Sequence, residues 1–128
     1  MLAQIEELHG WSFERIYESF PMLAERRKQE AVTLSGDEQQ MLAVARALAR
    51  DLKLLMLDEP YEGLAPVIRE EIDRISVDIH DLGITTIIVE QDAMAVLQYS
   101  DQAVILDSGE IAFSVSPVEV RENFVSNI

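Results

Sequence analysis

The sequence predicts an α/β fold: a largely parallel sheet with flanking helices, preceded by a helical segment and closed by a C-terminal hairpin. Three observations carry that expectation. Leu54-Leu55-Met56-Leu57 is an unbroken apolar run, as in a strand covered on both faces of a parallel sheet. Ile68, Ile72, Ile75, Ile79 and Leu82 recur at steps of four and three, the apolar stripe of a single helix. Ile84-Thr85-Thr86-Ile87-Ile88-Val89 is β-branched throughout and reads as a second strand. Strand, helix and strand in this order make a βαβ unit, with parallel strands and a right-handed crossover.

Residues 1–33 read as a separate, mostly helical piece. Ser12 is placed to cap a helix carrying Phe13, Ile16, Tyr17 and Phe20 on one stripe, and Pro21 is expected to end it. The charged run 25–30 is a solvated turn or short helix; its basic triplet is too short, and too closely flanked by acids, to bind nucleic acid. Residues 34–128 form the second piece. Ser35 and Glu38 make a capping-box pattern, so a helix starts just after Ser35, with Met41, Leu42, Ala45, Leu48 and Ala49 on its apolar face. Asp58 and Glu59 follow the first strand at its carboxyl end, where open α/β sheets place their ligand sites.

Residues 61–65 are expected as a loop, with Pro66 in the first turn of the next helix and Gly83 at its C′ position. Glu90-Gln91-Asp92 closes the second strand, and a short helix through Met94 and Leu97 follows. Ala103–Leu106 is a third strand, Asp107-Ser108-Gly109-Glu110 a turn, and Ile111–Phe113 the partner in a hairpin. Ser116-Pro117 opens a last helix through Phe124.

Composition narrows the function classes. With 128 residues there is room for one domain with a real core. A net charge of −14 argues against a nucleic-acid partner, because phosphate binding depends on Lys and Arg. Between Arg74 and Arg121 there are eight acidic residues and no Lys or Arg, which reads as a solvated acidic face. No cysteine is present, so disulfides and thiolate metal sites are excluded. No apolar run approaches the ~18–20 residues that span a bilayer, and the start lacks the pattern of a signal peptide. The expected location is the cytoplasm. His9 and His80 have no second ligand at metal-binding spacing, and Trp11, Tyr17 and Phe20 read as packing residues.

An Asp-Glu pair at the end of an apolar strand suits a nucleotide hydrolase, in which one carboxylate holds Mg²⁺ and the next orients the attacking water. Leu34-Ser35-Gly36 with Glu38-Gln39-Gln40 resembles the signature motif of ABC transporter ATPases. Leu54 to Pro60 looks like their Walker B strand and catalytic glutamate, and Glu62 to Pro66 with Ile88-Val89-Glu90-Gln91 is similar to the ATP-binding subunits of branched-chain amino acid importers. The resemblance implies the C-terminal half of such a subunit, a partial P-loop NTPase fold, with residues 1–33 in its helical subdomain. It implies ATP and Mg²⁺ as cofactors, Asp58 toward the metal, and Glu59 and Gln91 as catalytic residues. Ser35, Gly36, Asp37 and Glu38 would contact a nucleotide held mainly by a second ATPase subunit in a head-to-tail dimer, and residues 61–66 would cross that interface. Transmembrane permease subunits would hold the protein on the inner face of the cell membrane.

Three departures bear on activity. None of the five glycines, Gly10, Gly36, Gly63, Gly83 and Gly109, precedes a lysine, so G-x-x-x-x-G-K-[ST] occurs nowhere in these residues. Asp37 stands where the signature motif has its second glycine, and a carboxylate there opposes a γ-phosphate while suiting the helix dipole. Gln91 occupies the place of a histidine found in many relatives, and it cannot exchange a proton. The resulting expectation is a fragment of an importer ATPase that is inactive alone, with an unpaired sheet edge. The alternatives are a non-catalytic interaction module and an ATPase of DNA repair or chromosome structure, the latter opposed by the acidic balance.

Overall fold

The computed structural model describes residues 10–116 together with Val118 and Glu119. They fall into two compact units, Met1–Val89 and Glu90–Ile128. In the first unit the order is α1 (Phe13–Ser19), α2 (Pro21–Glu25), a 3-10 turn (Ala31–Thr33), α3 (Gly36–Leu48), β1 (Leu54–Asp58), α4 (Pro66–Asp81) and β2 (Thr85–Val89). The second unit holds α5 (Ala93–Leu97), β3 (Ala103–Asp107) and β4 (Glu110–Val115).

Ser12 caps α1 by accepting from the Arg15 amide at 3.2 Å, as its position predicts. Pro21 does end α1, but it also opens α2 as an N1 proline, a second helix that the apolar stripe alone did not reveal. Two hydrogen bonds join the helical piece to later elements of the first unit. Trp11 N donates to Leu48 O at 2.9 Å, satisfying a carbonyl at the end of α3 that the helix itself leaves unbonded. Arg74 reaches from α4 to Ser19 O at 3.1 Å and does the same for α1. The boundary between the two compact units falls between Val89 and Glu90.

The core of the first unit joins Phe20 and Met41 to Leu48, Ile72, Ile75 and Ile79, all buried. On α3 the buried stripe is Met41, Val44, Ala45 and Leu48, with Leu42 and Ala49 half-buried at its margin. On α4 it is Ile72, Ile75, Ser76 and Ile79. Gly83 ends α4 with φ +73, its amide donating to His80 O and the Ile84 amide to Ile79 O, a Schellman motif.

Strands β1 and β2 pair in parallel, Leu54 with Thr85 through Asp58 with Val89. Among the described residues they form a two-stranded sheet, so each has an unpaired edge. The expectation of cover on both faces is corrected. Leu55 is 4% exposed, and Leu57, Ile84, Thr86 and Ile88 on the same face are half-buried. On the other face Met56 is 68% exposed, and Leu54, Ile87 and Val89 are exposed with it. The packed helices of this unit cover one side of the sheet, while the apolar residues that suit a two-sided burial remain on both.

In the second unit β3 and β4 pair antiparallel around Ser108 (φ +52) and Gly109 (φ +83), the two left-handed residues of a type I′ hairpin turn. A bulge lies between Ile105 and Leu106, where Ala112 is left without a partner in the register. Of the expected last helix, residues beyond Glu119 lie outside the described residues. At its start the Ser116 amide (3.0 Å) and hydroxyl (2.9 Å) donate to Glu119 Oε2. Those bonds, the amide first, hold the Glu119 carboxyl below its ordinary 4.5.

Candidate functional site

The first unit contains an open cleft of about 380 Å³ between the start of α3 and the end of β1. Its position follows from chain lengths. Helix α3 runs about 20 Å at ~1.5 Å per residue. After the turn at residues 49–53, β1 returns by about 17 Å at ~3.3 Å per residue. Asp58 thus arrives level with the first turn of α3. Gly36, Asp37 and Gln40 form one wall; Asp58 and Glu59 form the floor; Glu62, Gly63 and Leu64 of the following loop form the other wall.

The helix start is built locally. The Ser35 hydroxyl accepts from the Glu38 amide at 3.3 Å, and the Ser35 amide donates to Glu38 Oε2 at 2.8 Å, a complete capping box. Glu38 Oε1 is also paired with Arg26 Nε at 2.6 Å. Ser35→Ala should lower unfolding free energy by about 1 kcal/mol, read as a shift in urea midpoint at unchanged m-value.

Glu59 has φ +47, a left-handed backbone that costs a non-glycine residue roughly 1–2 kcal/mol. Its amide donates to Val89 O at 2.8 Å, carrying the β1–β2 ladder one residue past the strand end. The turn this creates points Pro60 and Tyr61 into the core, where both are buried.

Of the predicted site residues, Gly36, Asp37, Asp58 and Glu59 meet in this cleft. Ser35 and Glu38 are engaged in the cap and do not line it. Gln91 is an exposed residue of the second unit, ahead of α5. Asp37 has a bond the sequence did not suggest: its Oδ2 accepts from the Ala65 amide at 3.4 Å. Gln40 was also missed, though its place one turn after Gly36 on the same helix face was a usable signal.

Four carboxylates line the cleft, from Asp37, Asp58, Glu59 and Glu62, and no basic side chain does. Hard oxygen donors of this kind suit a hydrated Mg²⁺, which takes one or two carboxylates and relies on phosphate and water for the rest. Among the described residues no group of three or more potential ligands is arranged to enclose a metal. A triphosphate does not fit these residues alone, because the lining offers no lysine and turns acid groups toward it. No helix among the described residues is long and apolar enough to cross a membrane.

Residues 6–62 match the ABC transporter family model. The high-affinity branched-chain amino acid transport ATP-binding protein BraG of Pseudomonas aeruginosa is 47% identical over 98 residues, covering 77% of this chain and 42% of that protein. A probable branched-chain amino acid transport ATP-binding protein, LivF of Archaeoglobus fulgidus, is 45% identical over 107 residues, 83% of this chain and 45% of that one. The sulfate/thiosulfate import ATP-binding protein CysA 2 of Agrobacterium fabrum is 44% identical over 88 residues, 68% and 26%. The chain thus spans less than half the length of these relatives. Among solved structures, a nucleotide-free ATP-binding cassette from an ABC transporter superposes with a TM-score of 0.73 at 28% identity, covering 87% of this chain and 44% of that one. A second cassette, in its ADP conformation, gives 0.69 at 27% identity, covering 89% and 46%. The fold is that of the ABC ATPase cassettes, in part, and by sequence the chain is related to the ATP-binding domains of ABC transporters.

Proposed function

We propose that these residues supply the signature helix, the acidic pair and the following switch segment of an ABC importer's ATP-hydrolysing subunit, serving branched-chain or other hydrophobic amino acids. The observation that carries this reading is the cleft itself, where the start of α3 meets Asp58 and Glu59 in a chain with this fold. Amino acid transport is favoured over sulfate by BraG and LivF, which combine the higher identity with a match over more than three quarters of the chain. In this reading Asp58 offers an oxygen to hydrated Mg²⁺, Glu59 accepts a hydrogen bond from the attacking water, and Gln91 acts as the neutral counterpart of a switch histidine. Ser35, Gly36, Asp37 and Glu38 serve a nucleotide held on a second subunit, and permease subunits hold the pair on the cytoplasmic face of the membrane. A second reading, a non-catalytic interaction module, is favoured by the engagement of Asp37 with the Ala65 amide.

The test replaces the matching segment of BraG with this chain in Pseudomonas aeruginosa. Leucine uptake should continue, and Glu59→Gln should cut the chimera's ATP turnover on the order of 100-fold, the scale of losing a positioned base. A chimera present in the membrane at native level without uptake would overturn the substrate assignment, and equal turnover after Glu59→Gln would overturn the role of Glu59. The 128 residues alone should show no ATP turnover, and turnover by them that Glu59→Gln removes would count against the need for a separate cradle.

A further inference from the structure

The loop between β1 and α4 is fastened at both ends. Tyr61, 4% exposed, donates from its hydroxyl to Asp73 Oδ1 at 2.7 Å, two turns into α4. At the other end the Ala65 amide donates to Asp37 Oδ2 at 3.4 Å, on the first turn of α3. Between these points the chain makes two tight turns, Glu62 N to Glu59 O at 3.1 Å and Leu64 N to Tyr61 O at 3.3 Å. Pro60, Tyr61 and Leu64 are buried, while Glu62 and Gly63 are exposed along the cleft. A left-handed Glu59 persists only where its surroundings over-determine it, and a short apolar plug on one side of a loop does not by itself fix the other side.

We propose that the Tyr61 hydroxyl on Asp73, with Asp37 on the Ala65 amide, is a positioning latch that holds the loop in place as a wall of the cleft and Glu59 in its left-handed conformation. Tyr61 is a positioning residue, acting on the proposed chemistry through Glu59. The significance of Glu59 rests on the functional reading above, but the latch does not. A serine or alanine at position 61 could not reach Asp73, so the length of the tyrosine is what joins the loop to the second turn of α4. Asp37 then has a role in this chain that does not involve a phosphate.

The test is amide hydrogen exchange by NMR on the full 128-residue chain. Tyr61→Phe keeps the ring and deletes the donor, and it should speed exchange of the Glu62, Leu64 and Ala65 amides about tenfold, as loss of a bond to a charged acceptor in a locally opening segment would. Exchange at Val44 and Ile75 should stay within twofold. Asp73→Ala should reproduce the effect, and Asp73→Asn, which keeps an acceptor oxygen, should restore protection. Unchanged loop exchange in Tyr61→Phe overturns the latch. So does equal acceleration in the helices, which marks a purely global loss of stability, or an Asp73→Asn variant as fast as Asp73→Ala. Because exchange is read without nucleotide, the fate of the chimera leaves this outcome independent.

Discussion

Alanine at Gly10 should destabilise the chain by about 3 kcal/mol, at the upper end of what overpacking costs. A Cβ built on Gly10 would lie well inside 3.0 Å of Ala49 O, Ala49 C and Arg50 C. All three are backbone atoms, so no rotamer change relieves the clash. The close approach exists because the Trp11 amide bonds Leu48 O, pressing the segment at Gly10 against the end of α3. Moving Gly10 away would break that bond and lift Trp11 from its buried place. Gly36→Ala is the matched control, since nothing lies within 4 Å of a Cβ there. It should be neutral or stabilising by up to about 1 kcal/mol, as alanine favours helix over glycine. Urea unfolding followed by far-ultraviolet circular dichroism separates the two. A midpoint for Gly10→Ala equal to that of the native chain would show that the contact is not tight.

Phe20→Ala should cost about 3–5 kcal/mol, the range for deleting a buried aromatic ring. Phe20 is fully buried and is at once the C-cap of α1 and the N-cap of α2. Its amide bonds Ile16 O at 2.8 Å, and its carbonyl accepts from the Leu23 amide at 2.9 Å. The ring is thus buried at the joint between two short helices, neither of which is long enough to persist alone. Phe20→Leu keeps most of the apolar volume and should cost under about 1.5 kcal/mol, as volume-conserving swaps do. Against a total stability of about 5–15 kcal/mol, the alanine variant is expected to lose α1 and α2 at temperatures where α3 and α4 persist. A Trp11 fluorescence change ahead of the circular dichroism transition would report this, and coincident transitions would refute it.

The sequence made α3, α4 and the parallel strands readable because each combines a start signal, a period and a stop. Ser35 with Glu38 and Gly83 with its Schellman bonds are local devices, decided by residues within one turn of each other. The acidic pair was readable for the same reason: an apolar run ending in Asp58 and Glu59 places both at a strand terminus. Contacts distant in sequence were not readable. Nothing near Gly10 in sequence indicates Ala49. Tyr61 and Asp73 are twelve residues apart with no periodicity joining them, and the Asp37–Ala65 bond spans twenty-eight. The run Leu54–Leu57 led to the one-sided sheet being missed, because composition records which residues suit burial, not what is present to bury them. Burial of its second face is a property of neighbours, which a strand's own residues do not encode.

The sheet with one bare face has a consequence for how its strands find their alignment. In a sheet with one polar side, sliding a strand by one residue exchanges its faces and exposes the apolar set, so the slip is penalised. Here the exchange would set Leu54 and Met56 where Leu55 and Leu57 stand, apolar for apolar. The middle of the strands therefore discriminates weakly between alignments. Selection falls to the ends: the Gly83 turn that delivers Ile84 from α4, and the Glu59 amide that bonds Val89 O. A slip would also carry Asp58 out of level with the start of α3 and empty the cleft floor. The left-handed Glu59, second member of the acidic pair, thus acts as the stop against which the two strands are aligned.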